Sequence, residues 1–68
     1  MGSIAKIIEL SADSEKSFDD ALQEGIIRAN ESLRNVRGVW IKDHEVIVEQ
    51  GRPKVYRLHL KVTFQVER

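Results

Sequence analysis

The chain has 68 residues, with 11 basic and 11 acidic side chains and no cysteine. A chain this short is expected to form one domain, residues 1–68, whose small core is only marginally stable by itself. Because neither disulfides nor a Cys/His zinc pattern can add stability, self-association is the expected source of it. The balanced charge argues against nucleic acid or an anionic membrane as a partner. The lack of a long apolar run and of a secretory signal favours a cytoplasmic protein.

The N-terminal segment predicts a strand followed by a helix. Residues 4–10 are rich in β-branched side chains, which is typical of a strand. Residues 11–14 are turn and cap formers. Ser14 is the expected N-cap, because its hydroxyl can accept a hydrogen bond from a free amide of the first helical turn. The helix is therefore expected to begin next to Ser14.

Apolar and small residues then recur at steps of three and four, which predicts an amphipathic helix. The stripe consists of Phe18, Ala21, Leu22, Gly25, Ile26, Ala29 and Leu33. Gly25 weakens an isolated helix by about 1 kcal/mol relative to alanine, so a close approach of the helix to a sheet is the expected reason for it. Ile27 falls on the opposite side and is either an ordinary exposed residue or a subunit contact.

The C-terminal half predicts two long strands joined by a hairpin at residues 50–54. The last strand alternates without a break, and its apolar positions are Tyr56, Leu58, Leu60, Val62, Phe64 and Val66. In the middle strand, residues 36–49, the apolar positions change parity, which indicates a bulge or bend across residues 42–45. The predicted fold is α+β in the order β-α-β-β, with a three-stranded antiparallel curved sheet wrapped around one helix.

Trp40 is the aromatic residue whose placement decides most about function. If Val39 and Ile41 face the helix, Trp40 faces away from it, because side chains alternate along a strand. An indole in that position is expected to pack against another group. That group is either a flat ligand or a symmetry-related subunit. If the alternation of the strand is assigned out of phase by one residue, Trp40 instead belongs to the core.

The other polar residues support no catalytic site. There is no nucleophile in a recognisable setting, no glycine-rich phosphate loop and no assignable carboxylate pair, so the protein is not expected to be an enzyme.

The histidines, His44 and His59, are best explained as solvated or interface residues, since a metal would need a third ligand. The strip Arg57, His59 and Lys61 either lines an anion-binding cavity or pairs with carboxylates. The oxygen donors suited to calcium, which have no EF-hand spacing, are Asp43, Glu45, Glu49 and Glu67.

Several local features together resemble the dodecin family over nearly the whole chain. They are Ser14-x-x-Ser17-Phe18 at the helix start, Ile27-Arg28-Ala29 within the helix, Asn35-Val36 before the middle strand, Val55-Tyr56-Arg57, and Val62-x-Phe64. The resemblance implies a hollow homododecamer with helices outside and sheets curved inward. Many members of the family bind pairs of flavins between subunits and act as flavin stores or scavengers rather than catalysts.

The chain departs from the flavin-binding pattern at two positions. Gly38 stands where those members have a tryptophan, and Arg57 where they have a glutamine. A second branch of the family lacks the tryptophan and is associated with calcium, and the arginine after Tyr56 is similar to that branch. Trp40 and Arg57 are therefore the candidate cofactor-binding residues, for FMN, FAD or riboflavin. The alternative is a shell that has lost flavin binding and binds calcium or another ion, with metal ligands that the sequence does not identify.

Overall fold

The computed structural model describes residues 4–66, and they form one sheet packed against one helix. The elements are β1 (Ala5–Ser14), α1 (Phe18–Leu33), β2 (Val36–Glu49) and β3 (Arg52–Gln65). The strands lie in the order β1-β3-β2, and β3 is antiparallel to both neighbours. The predicted α+β class, the β-α-β-β order and the antiparallel sheet are confirmed.

The first strand is longer than predicted. Residues 11–14, interpreted from the sequence as a turn, are the last four residues of β1 and pair with residues 56–59 of β3. Their local turn preference is overridden because the cross-strand partners in β3 stabilise the extended conformation. One consequence is that Asp13 lies directly opposite Arg57.

The predicted N-cap is wrong by three residues. The cap is Ser17, whose hydroxyl accepts a hydrogen bond from the amide of Asp20 at 2.9 Å. Ser14 instead closes the turn before the helix: its hydroxyl accepts from the amide of Lys16 and donates to the carboxylate of Asp20 at 2.7 Å. Both serines stand before an acidic first turn, so local chemistry alone does not distinguish them.

The helix approaches the sheet closely at Gly25, as predicted. A methyl group on Gly25 would lie 2.9 Å from the Cβ of Ala12 and 3.5 Å from the Cδ1 of Leu60. Real Cβ atoms do not approach one another so closely, so only glycine fits without a shift of α1 or β1. The chain leaves α1 through Arg34 and Asn35, both with positive φ, at 59° and 50°.

The core lies between α1 and the sheet. The helix-facing residues of the central strand, Leu58, Leu60 and Val62, are at most 1% exposed. The other buried apolar residues are Ala12, Ala21 and Ala29. The apolar face predicted for the last strand is therefore the centre of the core, while Phe64 near its end is only half-buried.

The middle strand changes phase at a β-bulge, as the parity change predicts. Its register with β3 shifts between Ile41 and Asp43, so Lys42 is the extra residue. Ile41 before the bulge and Val46 after it both lie opposite helix-side residues of β3. Two further register shifts along this strand pair add to its bending.

Beyond the helix, β2 and β3 continue as a two-stranded arm. β1 stops short of the arm, so Arg52, Pro53 and Val55 pair with β2 alone. The turn is only Gln50 and Gly51, shorter than the predicted 50–54, and both residues have positive φ, as a two-residue type I′ turn requires. Val46 and Val48 are exposed on the arm. The one helix within residues 4–66 is not long and apolar enough to cross a membrane.

Candidate functional site

The sheet face turned away from α1, called here the open face, carries the residues singled out from the sequence. Its side chains form rows across the three strands, because directly paired residues share a face. Three successive rows are Glu9-Lys61-Trp40, Ser11-His59-Asp43 and Asp13-Arg57-Glu45, each written in the order β1-β3-β2. No element of residues 4–66 covers this face.

Trp40 is on the open face and 69% exposed, which excludes the interpretation of Trp40 as a core residue. It lies opposite Lys61, whose ammonium group is 5.3 Å from the centroid of the indole ring. That distance is within the range of a cation–π contact. Trp40 thus presents a large apolar ring to solvent with one lysine beside it.

Open space adjoins Trp40 along the same strand. Gly38 occupies the open-face position of the neighbouring row, opposite Thr63. A methyl group on Gly38 would meet no atom of the described chain within 4 Å, apart from its immediate neighbours. The space beside Trp40 at the Gly38 position is therefore open.

Lys42, the bulged residue, also reaches across the open face. Its ammonium group lies 3.4 Å from a carboxylate oxygen of Glu9 on the far strand. Both side chains are at least half exposed, so this pair contributes little to stability.

Arg57 is engaged in a charge network that spans all three strands. Its guanidinium donates to both carboxylate oxygens of Asp13, at 2.8 and 2.9 Å, and lies 3.9 Å from Glu45. His59 makes a 2.8 Å contact with the same Glu45 through Nε2. The hydrogen bonds from Arg57 hold the pKa of the Asp13 carboxyl below its ordinary value, and they raise the pKa of Arg57. Of the two interpretations of the basic strip, pairing with carboxylates holds for Arg57 and His59.

The structure does not bring the two candidate cofactor residues together. Arg57 is four residues along β3 from Lys61, the partner of Trp40, which is about 13 Å at the rise of a strand. Lys61, in contrast, was interpreted from the sequence only as part of a basic strip. Its contact with Trp40 depends on the register of β2 with β3, and the register could be found only by locating the bulge at Lys42.

The histidines cannot share a metal ion, because they lie on opposite faces of the sheet. His44 packs on the helix side, with its ring 4.8 Å from that of Phe18, whereas His59 is on the open face. Within residues 4–66, no group of three or more His, Asp and Glu side chains is arranged to hold a metal. Glu67, one of the oxygen donors considered for calcium, lies outside the described residues.

The described residues form a β-α-β-β unit whose uncovered sheet face carries an exposed aromatic ring. Comparison with known proteins shows the family of this unit. The sequence model of the family described as Dodecin matches residues 4–67. A dodecin from Thermus thermophilus is 30% identical over 67 residues, covering 98% of this chain and 97% of the relative. A calcium dodecin from Mycobacterium tuberculosis is 27% identical over 64 residues, covering 94% and 90%.

Solved structures agree with the sequence relatives. The crystal structure of a Thermus thermophilus dodecin mutant superposes with a TM-score of 0.91 at 28% identity, covering 98% of this chain and all of that one. The calcium dodecin of Mycobacterium tuberculosis, described as a calcium-chelating antigen with a novel calcium-binding site, gives 0.83 at 26% identity, covering 96% and 93%. A Streptomyces coelicolor dodecin gives 0.92 at 21% identity, which supports the fold alone, with 97% and 94% covered. The chain belongs to the dodecin family.

Proposed function

We propose that this chain forms a homododecameric shell that binds and stores a flavin, FMN, FAD or riboflavin, on the open face at Trp40, and that it is not an enzyme. The observation that carries the proposal is the exposed indole of Trp40 beside the open space at Gly38. Stacking of aromatic rings is worth about 0.5–1.5 kcal/mol beyond area burial. Gly38 stands at the family's tryptophan position. In this proposal Trp40, two residues further along the same strand and on the same face, takes the place of that tryptophan.

Assembly is supported by the number of apolar side chains that one chain leaves exposed. They are Ile4, Ile7, Ile26, Ile27, Trp40, Val46 and Val48. Both outer strands, β1 and β2, also present an unpaired edge, which is a template for pairing with another chain. A domain with a core this small and so much uncovered apolar surface is expected to be stable chiefly as an oligomer.

Arg57 has a different part in this proposal from the one that the sequence suggested. Its Nε and Nη2 atoms donate to Asp13, so it stiffens the sheet at the margin of the site. A phosphate could compete for these donors only by displacing the carboxylate. We therefore assign ring binding to Trp40 and keep Arg57 as a peripheral residue. The single domain over residues 1–68 and the cytoplasmic location stay predictions.

Calcium is the second candidate, because one relative is a calcium dodecin. The carboxylates of Asp13 and Glu45 lie on the same face of this chain, but both are in contact with Arg57. A calcium site would thus require oxygen donors from a second subunit. Flavin binding has the stronger support, because the Trp40 ring is already exposed on the open face, whereas the carboxylates are in contact with Arg57.

Titration of flavin fluorescence tests the proposal. We expect the wild-type protein to quench the added flavin, and Trp40→Ala to lose about tenfold in affinity, which corresponds to about 1.4 kcal/mol. Glu31→Gln, which removes an exposed charge from α1, is the control and should bind as the wild type does. Absence of quenching by the wild type, together with calcium binding by the metal-free protein, would favour the calcium alternative.

A further inference from the structure

Lys61 differs from Lys42 and Arg57 in forming no ion pair with a carboxylate among residues 4–66. Lys42 is paired with Glu9, and Arg57 with Asp13. Within residues 4–66, Lys61 forms no ion pair, and its ammonium lies over the Trp40 ring instead. Its charge is therefore available at the surface on which we propose that the ligand stacks.

A ligand ring and the Lys61 ammonium use the same indole. A neutral ring that covers this face of Trp40 must push the ammonium aside, and the cation–π contact is lost without an electrostatic replacement. A ring with an attached anionic group compensates for the lost cation–π contact, because the displaced ammonium can pair with that group. Glu9 lies directly opposite Lys61 on β1, and its negative charge reduces this preference without cancelling it, because Glu9 is paired with Lys42.

From this geometry we infer that Lys61 is a specificity residue that makes the site prefer a flat aromatic ligand carrying a phosphate over the same ring without one. The inference rests on the proposed function, since it concerns the same site. It adds the class of ligand, a phosphorylated one, and the residue that selects it. Lys61 pairs with the ligand's anionic group, while Trp40 stacks on the ring.

FMN and riboflavin are the matched probes, because they share the ring system and differ by one phosphate. Their dissociation constants can be measured by quenching of Trp40, the single tryptophan of the chain. We expect the wild type to bind FMN about fivefold more tightly at low salt, as an exposed ion pair allows. This ratio should fall as salt is added, because exposed charges are screened.

Lys61→Gln should reduce the ratio to about one, mainly by weakening FMN binding, with riboflavin binding unchanged or tighter. Lys54→Gln is the matched control, since Lys54 is an exposed lysine of the same strand on the arm. It should keep the wild-type ratio. If both flavins bind equally to the wild type, or Lys61→Gln keeps the preference, the inference is wrong while the proposed function stands. If neither flavin quenches Trp40, the proposed function fails and the inference fails with it.

Discussion

Arg57 on β3 and Asp13 on β1 lie opposite each other and form a bidentate ion pair, with nitrogen–oxygen distances of 2.8 and 2.9 Å. The hydrogen bonds from Arg57 lower the pKa of the Asp13 carboxyl in the folded protein below its ordinary value of 3.8. A carboxyl with a lowered pKa stabilises the fold at pH values above its unfolded pKa. This contribution is lost as the pH falls through the lowered folded value.

Asp13→Asn should therefore be less stable than the wild type near pH 6, and the difference should shrink below about pH 4, where the carboxyl of the unfolded chain begins to protonate. Urea midpoints at the two pH values, at one fixed protein concentration, measure the difference. Glu49→Gln on the arm is the control. An equal loss at both pH values would show that Asp13 acts through packing rather than through its charge.

Gly25→Ala should destabilise the protein although alanine is the better helix former. The gain in helix propensity is about 1 kcal/mol, but the new methyl group would lie 2.9 Å from the Cβ of Ala12. Overpacking of this kind typically costs about 1–3 kcal/mol, so the net effect should be a lower melting temperature. Gly38→Ala, where a methyl group meets nothing, should be neutral. The packing account fails if Gly25→Ala melts at or above the wild-type temperature.

Leu60→Ala should be more damaging than truncations in β3 outside the buried core. Leu60 is 1% exposed at the centre of the core, and removal of a buried leucine side chain typically costs about 2–5 kcal/mol. Phe64→Ala should be less severe, because Phe64 is only half-buried, and Thr63→Ala on the open face should be mild. Thermal melts of the three variants would reveal an error in the assigned faces if Thr63→Ala proved as damaging as Leu60→Ala.

Arg34→Gly should stabilise the protein. Arg34 has φ 59° and ψ 158°, a region that is nearly exclusive to glycine and costs other residues of the order of 1–3 kcal/mol. Glycine removes this strain, and part of the gain is offset by the greater freedom of the unfolded chain. We expect a urea midpoint above that of the wild type. Arg34→Ala, which removes the side chain but keeps the strain, should leave the midpoint unchanged.

Patterns that depend on one strand or one helix could be predicted from the sequence. The alternation in β3 identified the core face, and the parity change in β2 indicated a bulge or bend within residues 42–45, which the structure shows at Lys42. From these two observations it followed that Trp40 lies on the face away from the helix. The stripe of small residues around Gly25 likewise indicated the close approach of α1 to the sheet.

Features that depend on pairing between strands could not be predicted. The end of β1 was placed too early, because its turn-forming residues are extended only through their partners in β3. The helix cap was assigned to Ser14 rather than Ser17, since both serines have suitable chemistry. The contacts of Arg57 with Asp13 and of Lys61 with Trp40 require the register of the whole sheet. Periodicity within one element contains no information about that register.

Sedimentation velocity of the wild-type protein with added flavin, followed both at the protein band and in the visible band of the flavin, tests the central claim most directly. We predict one boundary at the mass of a dodecamer, with the flavin absorbance moving in it. Trp40→Ala should sediment as the same oligomer with less flavin bound. A species with the mass of a single chain, or a dodecamer that leaves the flavin behind at a concentration that saturates FMN quenching, would contradict the account.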